Sequence, residues 1–242
     1  KALELDDNLA EAHTSLGGVM MFYDFDWTGA EKELKHARQL SPNYPTGCEV
    51  YSYLLSASGR LDEGIEMAKQ GLIADPLSVP LTDDTGVAYY MARRYDEAIR
   101  EFDTSIQMDP NDVWGYMNIA AAHSQKGSHD LAIGAAQKAV AASQRGAPSL
   151  AVLGHIYAAA GKRDEATKIL EELKRSSKEQ YVSPYDLAII YTALGQKDLA
   201  FEQLDRAYGE RTGWLIYLKV EPSFDPLRTD ARFADIVRRM GL

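Results

Sequence analysis

Between Val79 and Pro110 the apolar and small positions recur at helical spacing. Gly86 and Tyr89 stand three apart and Ala98 and Phe102 four apart, and either spacing puts both residues on one helix face. Two such segments meet at Arg93-Arg94-Tyr95, so the stretch predicts a helical hairpin closed by Pro110. A hairpin of this size cannot bury its apolar stripe alone and needs copies of itself on either side. Steps of 34 residues from Val79 supply them, at Pro45, Val113, Ala147 and Tyr181. Position 8 of these five copies carries Ser52, Gly86, Ala120, Gly154 and Ala188; position 20 carries Gly64, Ala98, Ala132, Ala166 and Ala200. Position 11 is large (Leu55, Tyr89, His123, Tyr157, Tyr191), and position 15 reads Gly59, Arg93, Gly127, Gly161, Gly195. A sixth copy starts at Ala10 and keeps the pattern if one residue is inserted near Tyr23-Asp24-Phe25-Asp26-Trp27, which predicts a longer loop there.

Small residues at positions 8 and 20 let paired helices approach closely, with bulky residues filling the space beside them. Glycine at position 15 offers the left-handed conformation that ends many helices. Asp62, Asp96, Asp130, Asp164 and Asp198, all at position 18, can cap the second helix or favour its positive end. With Pro76 and Pro110 as stops, this pattern resembles the tetratricopeptide repeat, W-x2-L-G-x2-Y…A-x3-F…P every 34 residues. The resemblance covers residues 10–212, although Trp is absent from position 4, Thr85 replaces the usual Leu and copies four to six lack the final Pro. It implies an all-α, right-handed superhelical solenoid of helix-turn-helix hairpins. Six units start near residues 10, 45, 79, 113, 147 and 181. Residues 1–9 fit the second helix of a truncated repeat, as in a piece of a longer protein. Residues 213–242 form a degenerate segment and a capping helix, where Phe233, Ile236, Val237 and Met240 make one apolar stripe. The stretch from Tyr181 to Phe233 also resembles the C-terminal end of repeat regions in large bacterial signalling proteins, whose effectors are winged-helix domains, kinases or cyclases.

Composition narrows the function classes. A net charge of −10 argues against a nucleic-acid surface. One cysteine, Cys48, forbids a disulfide framework and points to a reducing, cytoplasmic setting. No apolar run reaches the length of a membrane span.

Catalytic, metal and cofactor sites find no support. The five histidines fall at unlike repeat positions, HExxH and CxxC are absent, and Cys48 has no base partner in view. Gly154 to Lys162 departs from a phosphate loop, and Gly161 within it is the helix stop of its repeat. The family resemblance implies a concave face lined by the first helices of each unit. On that face it places Glu49, Tyr53, Asp83, Asp84, Tyr90, Trp114, Met117, Asn118, Tyr185 and Asp186. Aromatic anchors among carboxylates suit a peptide or helix with apolar and basic side chains. They would repel the terminal carboxylate that chaperone-binding members grip, since Glu49, Asp83 and Asp84 stand where those carry cations. The sequence therefore reads as a non-catalytic protein-interaction scaffold. Its alternatives are the regulatory arm of a transcription factor, kinase or cyclase, or a self-assembling scaffold stacking through the half-repeat at residues 1–9.

Overall fold

The computed structural model describes residues 2–242, and all the regular structure among them is helical. A single turn, α1 (Ala2–Leu5), precedes six hairpins. They pair α2 (Ala10–Val19) with α3 (Trp27–Leu40), α4 (Pro45–Ala57) with α5 (Leu61–Ala74), and α6 (Val79–Met91) with α7 (Tyr95–Met108). Then come α8 (Val113–Gln125) with α9 (His129–Ala142), α10 (Ala147–Ala159) with α11 (Arg163–Ser176), and α12 (Pro184–Ala193) with α13 (Lys197–Glu210). The leading helices α2, α4, α6, α8, α10 and α12 touch one another in series and make the inner layer of a tetratricopeptide-like solenoid; their partners lie outside.

Close approach explains the small residues. A Cβ on Gly86 would sit 2.4 Å from the Phe102 ring, and one on Gly154 2.9 Å from Ile169. In the second hairpin Ser52 Oγ donates to the Gly64 carbonyl at 2.8 Å, which ties positions 8 and 20 directly. Thr85 stands where leucine is usual and stays buried because its hydroxyl donates to the Leu81 carbonyl at 2.8 Å. The residue at position 15 has positive φ in all five copies, +61° at Arg93 and +73° to +89° at the four glycines. Arg93 thus holds a left-handed conformation that costs a side-chain-bearing residue about 1–2 kcal/mol.

Two local expectations change. The aspartates at position 18 do not cap: no side-chain cap is present at α5, α7, α9, α11 or α13. They sit in the first turn, where a negative charge favours the helix dipole. Only α3, among these outer helices, has an aspartate placed one residue before its start; Asp26 accepts from the Gly29 N–H at 2.9 Å. The inserted residue of the first copy does not lengthen the loop. It is absorbed in a π-helical turn, Met20–Asp24, that continues α2 and ends at Phe25 with φ +56°.

After α13 the chain leaves the hairpin pattern and turns back into the inner layer. Two 3₁₀ turns, Gly213–Tyr217 and Pro222–Leu227, lie against the π turn, α4 and α12. Their side chains Leu215, Ile216, Tyr217, Phe224 and Leu227, with Leu218 between the turns, are almost wholly buried. The last helix, α14 (Ala231–Arg239), packs Phe233 and Ile236 inward against α13. The residue that follows it meets the first hairpin, where the Trp27 indole N–H donates to the Met240 carbonyl, while Phe25 stacks on Tyr208 of α13 at 5.7 Å.

Candidate functional site

The tail decides which part of the concave face stays open. Tyr217 packs edge-on against Tyr53 with centroids 6.4 Å apart, and Phe224 against Tyr185 at 5.4 Å. Tyr90 donates its hydroxyl to Glu221 at 3.0 Å; Glu221 also accepts from the Ser223 N–H at 2.9 Å. Lys219 reaches the Ser58 carbonyl, and Arg93 pairs with Asp225 at 2.8 Å. Tyr53, Tyr90 and Tyr185 are therefore not projecting anchors: their rings are already engaged by this chain.

What remains is a cavity of about 120 Å³, open at one side, between α6, α8, α10, α12 and the tail. Six of the ten residues assigned to the face line it: Tyr90, Trp114, Met117, Asn118, Tyr185 and Asp186. Tyr90 and Tyr185 contribute floor. Trp114 stands at the mouth, 47 % exposed, with its ring 5.8 Å from that of Trp214, itself 39 % exposed. Val152, His155 and Ile189 complete the wall opposite.

The other four residues fall elsewhere. Glu49, Tyr53 and Asp84 form a second polar group between α4 and α6; Tyr53 donates to Glu49 at 2.9 Å, and Tyr217 covers the ring. Asp83 turns away from the groove, into the seam of α6 with α7 and α8. There it accepts from Ser105 Oγ at 2.6 Å and faces Asp112, which caps α8 through the N–H groups of Trp114 and Gly115. Adjacent residues on a helix point about 100° apart, which is why Asp83 and Asp84 part company.

Sequence reasoning missed Trp214 and Glu221, because the tail was expected to cover the end of the solenoid. The available signal was the apolar run Trp214–Leu218, which has no helical continuation before Pro222 and needs a place to be buried.

Burial dominates the electrostatics. It pushes Asp83 up to about 8 and both Asp84 and Asp186 up to about 7, with Asp112 beside Asp83 and Glu49 beside Asp84 adding like charge. Glu221 is raised by burial as well, whereas burial lowers His155 to about 4. A carboxyl with a raised folded-state pKa keeps a proton that the unfolded chain releases, so its contribution to stability is lost as pH rises. His155 acts in the opposite sense, but only below its unfolded value near 6.5. The thermal midpoint is thus expected to fall between pH 6.5 and 8.5, by several degrees for about 2 kcal/mol lost. Asp83→Asn is expected to reduce that fall. A midpoint that is flat or rising over the window, read by circular dichroism, contradicts this assignment.

Comparison with known proteins fits this architecture. Residues 52–113 and 84–148 match the family model described as tetratricopeptide repeat. Residues 52–148 are tetratricopeptide repeats. A 48-residue stretch is 35 % identical to the Hsp70-Hsp90 organising protein of Plasmodium falciparum, covering 20 % of this chain and 8 % of that protein. Among solved structures, PilW, a type IV pilus biogenesis factor, superposes with a TM-score of 0.63 at 19 % identity, over 87 % of this chain and 97 % of its own. YrrB, described as having an unusual peptide-binding site, gives 0.50 at 15 % identity over 74 % and 92 %. At these identities the two structures share the fold. Tetratricopeptide repeats generally mediate protein–protein interactions and are generally non-catalytic. None of these comparisons carries the narrower likeness to bacterial signalling proteins. No helix among the described residues is long and apolar enough to cross a membrane.

Proposed function

We propose that this chain is a non-catalytic scaffold that docks a short peptide or helix of a protein partner in the part of the concave groove left open by its own tail. The observation that carries the reading is the pair Trp114 and Trp214, half-exposed at the mouth of an apolar cavity while other groove aromatics, Tyr90, Tyr185 and Tyr217 among them, are buried. Large aromatic rings beside an apolar recess are the usual anchors of a peptide interface. The carboxyl groups of Asp186 and Glu221 in the wall select for apolar and basic side chains over acidic ones. The tetratricopeptide repeats and the structural likeness to YrrB favour a peptide over a small metabolite. The regulatory-arm reading rests on the tail resemblance alone, and the self-assembly reading draws nothing from the groove.

Peptides selected from a random display library on the intact chain test the proposal. Their affinity is expected to fall at least about tenfold on Trp114→Ala with Met117→Ala, with helicity unchanged. Selected peptides that bind the double variant as well as the parent would move the site to the convex face.

A further inference from the structure

We infer that the inner end of this cavity receives the terminal ammonium group of one lysine side chain from the docked partner, with the Asp186 carboxylate as its counter-ion. The inference deepens the docking proposal and rests on it.

Three polar groups from three successive leading helices line the cavity without a partner: Asn118 on α8, His155 on α10 and Asp186 on α12. They occupy positions 6, 9 and 6 of the fourth, fifth and sixth repeats, so the register that builds the solenoid also brings them to one recess. Both ring nitrogens of His155 are buried with no hydrogen bond of normal geometry, the Ile189 backbone being the polar group beside the ring, and the residue is only 7 % exposed. Asp186 has neither a hydrogen bond nor an ion pair among the described residues, unlike the aspartates that pair with arginines on the outer surface, such as Asp205 and Asp235. No described lysine or arginine lines the cavity. A recessed carboxyl with no cation is costly, and an incoming charge would relieve that cost.

The chemistry selects an ammonium. Its three N–H donors match a carboxylate oxygen, an imidazole nitrogen and an amide oxygen converging from separate helices; a guanidinium fork prefers acceptors in one plane. Met117, Ala121, Val152 and Ile189 offer apolar wall to a four-carbon stem, and the indoles at the mouth suit a cation passing over them. An acidic ligand would face two carboxyl groups, Asp186 and Glu221.

Binding is expected to be pH-dependent. The titratable groups around Asp186 are His155 from α10, Tyr90 from α6, Tyr185 and Tyr181 on its own side and Glu221 from the tail. Burial keeps the imidazole neutral and the phenols protonated at neutral pH, and Glu221, also raised by burial, is already engaged by Tyr90 and the Ser223 N–H; Asp186, held near 7 and without a partner among the described residues, is the carboxyl whose ionisation an ammonium would meet. Affinity for an ammonium is expected to rise about tenfold from pH 6 to pH 8, as the ionised fraction does.

The test follows the indole N–H signals of Trp114 and Trp214 while the intact chain is titrated with n-butylamine, 1-butanol and Nα-acetyl-lysine N-methylamide. The two amines are expected to give saturable shifts at pH 8, about tenfold weaker at pH 6, with 1-butanol at least about tenfold weaker still. Asp186→Asn, which removes a buried charge and so retains the fold, is expected to abolish the preference for amines. No saturable shift with either amine, or equal binding by Asp186→Asn, overturns the inference. Binding of n-butylamine alone would make the recess a site for free amines and overturn the lysine assignment. A display-selected peptide that needs Trp114 but binds Asp186→Asn unchanged overturns this inference while leaving the docking proposal intact.

Discussion

Phe224→Ala is expected to lower the unfolding free energy by about 3–5 kcal/mol, the range for emptying a fully packed aromatic site. Phe224 has no exposed surface, and its ring meets Tyr185 edge-on in the middle of the inner layer. The consequence reaches beyond one cavity. The tail that Phe224 anchors also carries Tyr217 against Tyr53, Glu221 against Tyr90 and Lys219 against the end of α4. Loosening it removes cover from three hairpins together, so the thermal midpoint is expected to fall by about 2–4 °C for each kcal/mol. Trp214, which depends on the same segment for its place at the pocket mouth, is expected to become more solvent-exposed by fluorescence quenching. A loss below about 1 kcal/mol in denaturant unfolding would mean that Phe224 is not packed in the groove.

Gly86→Ala is expected to destabilise by about 1–3 kcal/mol, and to lose most of that cost when Phe102→Ala is also present. The added Cβ would lie 2.4 Å from the Phe102 ring, which is itself without exposed surface. Phe102→Ala alone is expected to cost about 3–5 kcal/mol through the void it leaves. The double variant reproduces what the next hairpin already does, with Ala120 at position 8 and Ala136 at position 24, both fully buried. Volume is thus traded between these two positions in the third and fourth hairpins: the Phe102 ring demands glycine at 86, and the smaller Ala136 admits Ala120. Additive costs in the cycle would show that Gly86 is needed for something other than the Phe102 ring.

That trade also explains why the hairpins were legible in the sequence. Helix separation is set locally, within 34 residues, by small residues whose register can be counted, and positive φ at position 15 leaves its own mark in glycine. Arg93, with the same conformation and no glycine, was legible only through its neighbours in register. The tail was not legible. Trp214–Leu218 carries no helical period after the repeats end, and its partners Tyr53 and Tyr90 lie more than a hundred residues earlier. From the sequence those tyrosines look like open anchors, because an aromatic waiting for a partner and one covered by its own chain have the same one-dimensional signature. The π turn at Met20–Asp24 hid for a related reason: an extra residue can be housed inside a helix as easily as in a loop.

The tail lies inside the groove and sets what stays open there, and amide hydrogen exchange over residues 214–228 of the intact chain tests this most directly. The N–H groups of Leu218, Glu221 and Phe224 bond to the carbonyls of Leu215, Tyr217 and Glu221 beneath buried side chains. They are expected to exchange as slowly as the amides of α6 and α12, opening only when the inner layer opens. Rapid exchange across 214–228 while α6 and α12 stay protected would contradict it: the groove would then be open along its length, with Tyr53, Tyr90 and Tyr185 free to meet a partner.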